Sequence, residues 1–167
     1  MKLQTKKLVL LSCLTACAVI LSYVEVLVPP LFPAVPGIKM GLANIITVFL
    51  IYKFSYKEAF LVALCRILIM TLLFSNAVTF IYSISGAVLS IIVMALLKKL
   101  NRFSAVGVSI AGAVFHNLAQ VIVAALIMQT VEIVYYMAAL TVSGIVAGVA
   151  IGLLGGIFIK YSSKFKI

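Results

Sequence analysis

The chain has 167 residues, of which 66% are hydrophobic and only 10% are charged, and its mean hydropathy is +1.36. A water-soluble domain is usually about 45–50% apolar and about 25% charged, so one soluble core of this size cannot bury the excess. The net charge of +10 comes from small basic clusters between apolar runs. This distribution is typical of membrane topology signals and argues against a nucleic-acid-binding surface.

Six apolar runs follow one another, and each predicts a transmembrane helix because backbone polar groups in lipid must be hydrogen-bonded within their own segment. A spanning helix needs roughly 20 mostly apolar residues, which leaves room for six spans but for no soluble domain. The first run follows Lys2, Lys6 and Lys7 and lacks an A-x-A cleavage site, so we interpret it as a retained helix and not as a signal peptide. The predicted helices are 7–28, 38–53, 57–74, 77–97, 104–128 and 131–159.

These helices predict an all-α integral membrane protein, one six-transmembrane-helix bundle formed by residues 1–167. Its orientation follows from the basic residues in the short loops. With the N-terminus inside, eleven of the thirteen Lys and Arg residues are cytoplasmic, while Lys39 lies outside and Arg66 within a span. An even number of spans then places the C-terminus in the cytoplasm as well, as expected for a multi-pass protein of the bacterial plasma membrane.

Glycines recur every four residues along the last predicted helix, at positions 144, 148, 152 and 156. Small residues at this spacing allow another helix backbone to approach closely. The pattern therefore predicts tight packing, either within the bundle or against another subunit.

Polar side chains inside the predicted spans cost about 2.5–3.5 kcal/mol on insertion scales, so each is a candidate for a functional role. In the predicted orientation these residues lie at mid-membrane or in the outer half, and they are expected to line a cavity open to the outside. The proline-rich loop from Pro29 to Gly37 is stiff, and it is suited to closing over such a pocket. The candidate substrate-binding residues are Glu25, Lys39, Asn44, Arg66, Ser83, His116, Asn117 and Gln120.

Structural interpretations of the same residues remain open. Arg66 would pair with Glu25 in a salt bridge, and Asn117 and Gln120 would hydrogen-bond neighbouring helices to each other. Lys39 would extend its charged end to the membrane interface. His116 would make a hydrogen bond in the interior of the bundle.

Several kinds of chemistry are not expected. The chain has one histidine and no aspartate, so neither a metal centre nor an aspartate-rich diphosphate site is predicted. It also lacks a P-loop and a nucleophile motif, so we expect no catalytic residue, no cofactor and no enzymatic activity. Because the chain cannot hydrolyse ATP, active transport would need partner subunits.

Four segments, 23–45, 63–66, 82–86 and 113–120, resemble a known family, most specifically in Gly-Leu-Ala-Asn at 41–44 and His-Asn-x-x-Gln at 116–120. The chain resembles the Gx transporter family, also labelled heptaprenyl diphosphate synthase component I, over nearly its whole length. That family is in turn similar to the substrate-binding S-components of energy-coupling factor (ECF) transporters. Those are six-helix proteins with both ends inside and an outer-half pocket that the loop after the first helix covers.

The resemblance implies a small polar or anionic ligand, vitamin- or flavin-like, that is taken from the outside. It also implies a membrane coupling protein and two ATPase subunits as partners. These partners would be contacted through small residues of the first helix, here Ser12 and Ala16. Some members resemble a membrane subunit encoded with flavin-based extracellular electron-transfer proteins. The alternative function is therefore a subunit that binds a prenyl or quinone ligand without transporting it.

Overall fold

A computed structural model describes residues 3–27 and 41–162. Lys39 and the proline-rich loop, both predicted to contribute to the site, lie outside the described residues. Within the described residues the protein contains six α-helices, one short 3₁₀-helix and no strand, which confirms the predicted all-α class. The helices are α1 (Leu3–Leu27), α2 (Asn44–Lys53), α3 (Tyr56–Phe74), α4 (Ala77–Lys99), α5 (Ala105–Met128), the 3₁₀-helix (Glu132–Tyr136) and α6 (Met137–Ser162).

Side-chain caps fix the starts of three helices. Ser55, Asn76 and Ser104 each precede a helix, and each side-chain oxygen accepts a hydrogen bond from a backbone N–H two or three residues later. Such bonds satisfy donors at the start of a helix that no earlier carbonyl can reach. The short polar breaks in the sequence therefore define where α3, α4 and α5 begin.

Two helices begin later than the sequence predicts. The second was expected from residue 38, but Gly41 has a φ of +71° and Leu42 and Ala43 form a turn, so α2 begins only at Asn44. Glycine tolerates this left-handed conformation because it has no Cβ. The last helix was expected from residue 131, but the 3₁₀-helix precedes it and α6 begins at Met137.

Four described helices, α1, α4, α5 and α6, are long and apolar enough to cross a membrane. Large apolar side chains on their surfaces are exposed, for example Val142 at 63% and Val146 at 66%. Continuous exposed apolar surface of this kind suits contact with lipid. The chain is therefore a helical membrane protein. The other two helices do not meet this criterion, because α3 carries three charged residues and α2 has only ten residues.

The shortest α-helix lies at the centre of the bundle. α2 contacts α1, α3, α4 and α6, and its residues from Ile46 to Ile51 are all buried. Its ten residues extend over only ~15 Å, about half the hydrocarbon thickness of a bilayer. Around it, α1 packs on α3, α3 on α4, α4 on α5 and α5 on α6. Longer helices thus surround a central helix that ends well short of their length.

Two polar contacts define one end of the bundle. Lys7 forms an ion pair with Glu58, which places the starts of α1 and α3 together. Lys98 Nζ donates a hydrogen bond to the Ile51 carbonyl, which places the ends of α2 and α4 together. Further basic side chains lie at the same helix ends, namely Lys6, Lys53, Lys57 and Lys99. We refer to this end as the basic end.

The glycines of α6 pack mainly against α5. A Cβ added to Gly148 would lie 2.6 Å from Ile110 Cα, and one added to Gly152 would lie 2.6 Å from Val106 Cα. Real Cβ atoms do not approach backbone atoms this closely, so alanine would force the two helices apart. Gly156 differs, since a Cβ there would meet nothing within 4 Å. Packing within the bundle therefore accounts for Gly148 and Gly152 but not for Gly156.

Candidate functional site

A cavity with a volume of about 100 Å³ lies beside the start of α2, towards the end of the bundle opposite the basic end. Its walls come from α1, α3, α4 and α5, and from Gly41 and Asn44 at the start of α2. Ser75, between α3 and α4, is exposed, whereas Ser22 and Ile67 are buried, so the cavity extends from the surface into the bundle. Among the described residues the lining side chains are mostly polar, and the apolar ones are Val26, Ile67 and Met70.

Arg66 lies in the middle of α3 and contributes a guanidinium group to the cavity wall. Its Nη1 donates a hydrogen bond of 3.1 Å to Ser22 Oγ on α1, and its charge interacts electrostatically with Glu25. A guanidinium has five N–H donors, and the bond to Ser22 is the one hydrogen bond that Arg66 makes to a described residue. Most of the donors of Arg66 are thus not used by the described residues.

Glu25 connects the cavity with the start of the central helix. Its Oε1 accepts a hydrogen bond of 2.6 Å from the backbone N–H of Leu42, two residues before α2 begins. A carboxylate in this position stabilises the positive end of the helix dipole. The same side chain lines the cavity and interacts with Arg66. Glu25 therefore has a structural role, and it is also placed to meet a ligand.

The His116 imidazole fits against a glycine of the neighbouring helix. A Cβ added to Gly86 on α4 would lie 2.7 Å from His116 Cε1 on α5, so only glycine leaves room for the ring in this position. Gln120 lies one turn further along α5 and also lines the cavity. Gly86 on α4 thus provides the space that His116 occupies.

Asn117 does not line the cavity. Its Nδ2 donates a hydrogen bond of 2.7 Å to the Leu140 carbonyl on α6, and it lies 3.0 Å from the position of a Cβ on Gly144. Successive helix residues are about 100° apart, so Asn117 points away from the side that His116 and Gln120 share. Its contact joins α5 to α6, which is the structural interpretation that the sequence left open.

Hydroxyl groups form a part of the wall that the sequence did not indicate. Thr71, Ser75 and Thr79 follow one another at intervals of four residues from α3 into α4, and Ser83, which the sequence does predict, continues the series. Thr79 Oγ1 donates a 3.0 Å hydrogen bond to Asn76 Oδ1, which caps α4. The interval of four was visible in the sequence, but serine and threonine are too common in apolar helices to stand out as signals.

The structure brings six of the eight predicted binding residues to one cavity: Glu25, Asn44, Arg66, Ser83, His116 and Gln120. Lys39 lies outside the described residues, and Asn117 contacts α6 instead. The convergence is a geometric result, and the binding of a substrate by these residues stays a prediction. Among residues 3–27 and 41–162, no three His, Cys, Asp or Glu side chains are grouped so that they could hold a metal ion.

The small residues predicted to contact partners lie on a different face of α1. Ser12 and Ala16 are exposed, whereas Ala18 and Ser22 are buried against the bundle. Beyond the basic first turn of α1, its exposed face is apolar apart from such small residues, and Ile20 on it is 61% exposed. This surface faces either lipid or another protein.

Together, the fold and the cavity define a small helical membrane protein with a polar site inside an apolar bundle. The model of the family described as heptaprenyl diphosphate synthase component I matches residues 14–158. The chain therefore belongs to that family, which confirms the resemblance inferred from the sequence. No curated protein and no solved structure gives a significant match to the chain.

Proposed function

We propose that this protein is the substrate-binding membrane subunit of an ECF-like transporter and takes a small polar ligand from the outside. The observation that carries the proposal is the cavity beside α2, where polar side chains from four helices and the start of α2 meet inside an apolar bundle. Polar groups within a membrane span are costly unless they have partners, so such a concentration favours a binding site over helix packing alone.

In this proposal Arg66, His116 and Lys39 meet a polar or anionic part of the ligand. Asn44 and Gln120 fix its orientation by hydrogen bonds through their amide groups. Glu25 holds Arg66 and the start of α2 in position, and the apolar side chains of the wall exclude water. No residue acts as a catalyst, and the protein is a binding subunit and not an enzyme.

The proposed orientation places the basic end in the cytoplasm, following the excess of Lys and Arg in cytoplasmic loops. α1, α3 and α5 then run outward and α2, α4 and α6 run inward, with both chain ends in the cytoplasm. The cavity lies towards the opposite end of the bundle, so this orientation directs it to the outside of a bacterial plasma membrane.

The proposed partners are a membrane coupling protein and two ATPase subunits, since this chain has no nucleotide-binding motif of its own. Ser12 and Ala16 are exposed on α1, and a surface of small residues allows a helix of the coupling protein to approach closely. The family description includes the word component, which agrees with assembly into a multi-subunit complex.

Co-purification tests the partner assignment. The tagged protein is extracted from its native membranes in mild detergent, and we expect a membrane coupling protein and two ATPases to purify with it. Replacing Ser12→Leu together with Ala16→Leu should abolish their recovery, because bulky side chains prevent close helix contact. Val146→Leu, which is on the exposed surface of α6, serves as the matched control and should leave recovery unchanged.

The co-purified complex also separates this function from the alternative. Reconstituted in liposomes, it should accumulate a water-soluble ligand only when ATP is present. Recovery of a redox protein in place of the ATPases, with a prenyl lipid or quinone bound, would contradict the transporter assignment. That result would instead support a subunit of a quinone-related or flavin-based electron-transfer assembly.

A further inference from the structure

We propose that the basic end of the bundle binds anionic phospholipids, with the headgroup held where α3 begins and α4 ends. The residues that carry this inference are Lys57, Lys99 and Arg102. It goes beyond the proposed function and does not depend on what fills the cavity. In the proposed orientation this surface meets the cytoplasmic leaflet, whose anionic lipids attract basic segments.

The first argument is the imbalance of charge at the basic end. The whole chain contains three acidic residues, and all three are among the described residues. Glu25 lies at the cavity and Glu132 in the 3₁₀-helix after α5, so Glu58 is the one acid at the basic end. No residue outside the described ranges can add another. The basic side chains at this end are Lys6, Lys7, Lys53, Lys57, Lys98, Lys99, Arg102 and Lys160.

The second argument is that several of these charges have no counter-charge in the described part of the chain. Glu58 forms an ion pair with Lys7, so the one carboxylate at this end already has a basic partner. The side chains of Lys57, Lys99 and Arg102 are exposed and make neither an ion pair nor a hydrogen bond to another described residue. Like charges repel one another, and an anion that lies between them removes this repulsion.

The third argument is that the end of α2 brings these charges together. Lys98 donates a hydrogen bond to the Ile51 carbonyl, so the end of α4 lies beside the end of α2. Two residues separate the end of α2 from the start of α3. Lys57 and Lys99 therefore lie at neighbouring helix ends, a placement that suits the binding of one phosphate group by both ammonium groups.

The fourth argument is the apolar surface that continues from these charges, and it favours a lipid over other anions. Leu96 and Leu100, on either side of Lys99, are 58% and 59% exposed. On α3, Leu61 lies one turn after Lys57 and is 51% exposed. A phospholipid contacts both surfaces, because its charged headgroup is joined to acyl chains. A free phosphate or a nucleic acid would contact only the charges.

The experiment uses the full chain, purified in a mild uncharged detergent and washed free of native lipid. Phosphatidylglycerol, or phosphatidylcholine with the same acyl chains, is added, and native mass spectrometry measures the fraction of protein that retains lipid. We expect about tenfold stronger retention of phosphatidylglycerol, since each basic side chain near an anionic headgroup raises the affinity about fivefold. A high salt concentration during incubation should remove this preference, because it screens the charges.

Two variants and a matched control locate the headgroup. Lys57→Gln and Lys99→Gln should each weaken the retention of phosphatidylglycerol about fivefold, and the double variant about twentyfold. Lys160→Gln removes the same charge from the same end of the bundle, but on α6, and should change retention less than about twofold. The retention of phosphatidylcholine should be equal in all of these proteins.

Equal retention of the two lipids by the wild type, or unchanged retention of phosphatidylglycerol in the double variant, would overturn the inference. Equal weakening by Lys160→Gln would overturn the site at α3 and α4, because the basic end would then act as a whole. Glycerol phosphate and a polyglutamate peptide are added as competitors at the concentration of the lipid. Displacement by the first would show that charge alone is bound, and displacement by the second would indicate an acidic protein partner, so either would overturn the lipid assignment.

Size-exclusion chromatography establishes the fold of each variant. If the double variant does not fold, the lipid preference of the wild type and the two single variants still decide the outcome. A loss of ligand binding at the cavity would leave these results unchanged, so failure of this inference and failure of the proposed function are distinguishable.

Discussion

Glu25 connects three helices through one carboxylate. It belongs to α1, accepts a hydrogen bond from Leu42 before α2, and interacts with Arg66 on α3. Arg66 in turn donates to Ser22, so it also links α3 to α1. The sequence left open whether Arg66 pairs with Glu25 or meets a ligand; in the structure Arg66 donates a hydrogen bond to Ser22 and its charge is attracted to that of Glu25. The hydrogen bond to Ser22 holds Arg66 at the cavity wall, while its other donors are unused by the described residues.

This coupling leads to a prediction for stability. Arg66→Gln removes the charged donor to Ser22, and Glu25→Gln weakens the acceptor for the Leu42 N–H, so each should lower the free energy of unfolding by about 1–3 kcal/mol. The double variant should lose less than the sum of the two single losses, because the attraction between the two charges is lost only once. Unfolding in mixed micelles, followed by circular dichroism, measures the three values. Strictly additive losses would show that the two side chains do not stabilise each other.

At the scale of single residues, the sequence identified those polar groups that are rarest in apolar helices. Arg66, His116 and Gln120 stand out because their burial in lipid is costly, and the structure places all three at one cavity. Thr71 and Ser75 did not stand out, since a helical hydroxyl group is easily satisfied by its own backbone. Asn117 is also among the residues that the sequence predicts to line the cavity. The rotation between neighbouring residues instead turns it towards α6.

Among the helices, α5 and α6 are held at close range by glycines. Gly148 and Gly152 bring the α6 backbone against Ile110 and Val106, whereas a methyl group on Gly156 would meet no neighbour within 4 Å. The regular interval of four in the sequence does not distinguish these positions. The close contact of the two helices does not extend to Gly156, and only the structure shows where it ends.

We therefore expect the replacement of glycine by alanine to change the free energy of unfolding differently at two positions of α6. Gly148→Ala should lower the free energy of unfolding by about 1–3 kcal/mol, because the added methyl group overlaps the α5 backbone. Gly156→Ala should leave it unchanged or raise it by about 0.5–1 kcal/mol, since alanine favours the helix and meets no neighbour. Thermal melting of the purified variants provides the comparison. Equal destabilisation by both substitutions would contradict the packing described for α6.

The length of α2 could be predicted only in part. Its apolar run continues to residue 38, but the backbone turns at Gly41 and the helix begins at Asn44. A single glycine in an apolar run does not reveal a positive φ. The consequence for the site is large, because a short central helix surrounded by longer ones leaves room for the cavity. The existence and order of the helices followed from the sequence, whereas this difference in length did not.

At the scale of the whole molecule, the distribution of charge predicts the orientation. The basic end of the bundle should be cytoplasmic, and the junction between α5 and the 3₁₀-helix should be outside. In a protein whose three native cysteines are replaced by serine, Val131→Cys should react with a membrane-impermeant maleimide in intact cells. Phe103→Cys, between α4 and α5, should react only after the cells are opened. The reverse pattern would invert the proposed topology and direct the cavity inward.

The central claim is that the cavity beside α2 binds a small water-soluble ligand. Native mass spectrometry of the protein, gently purified from its own membranes, tests this claim most directly. We predict a protein ion that carries one small polar molecule, which is released on activation and is strongly depleted in Arg66→Gln. A wild-type protein that is folded and carries no small molecule, or carries only a prenyl lipid or quinone, would contradict the account.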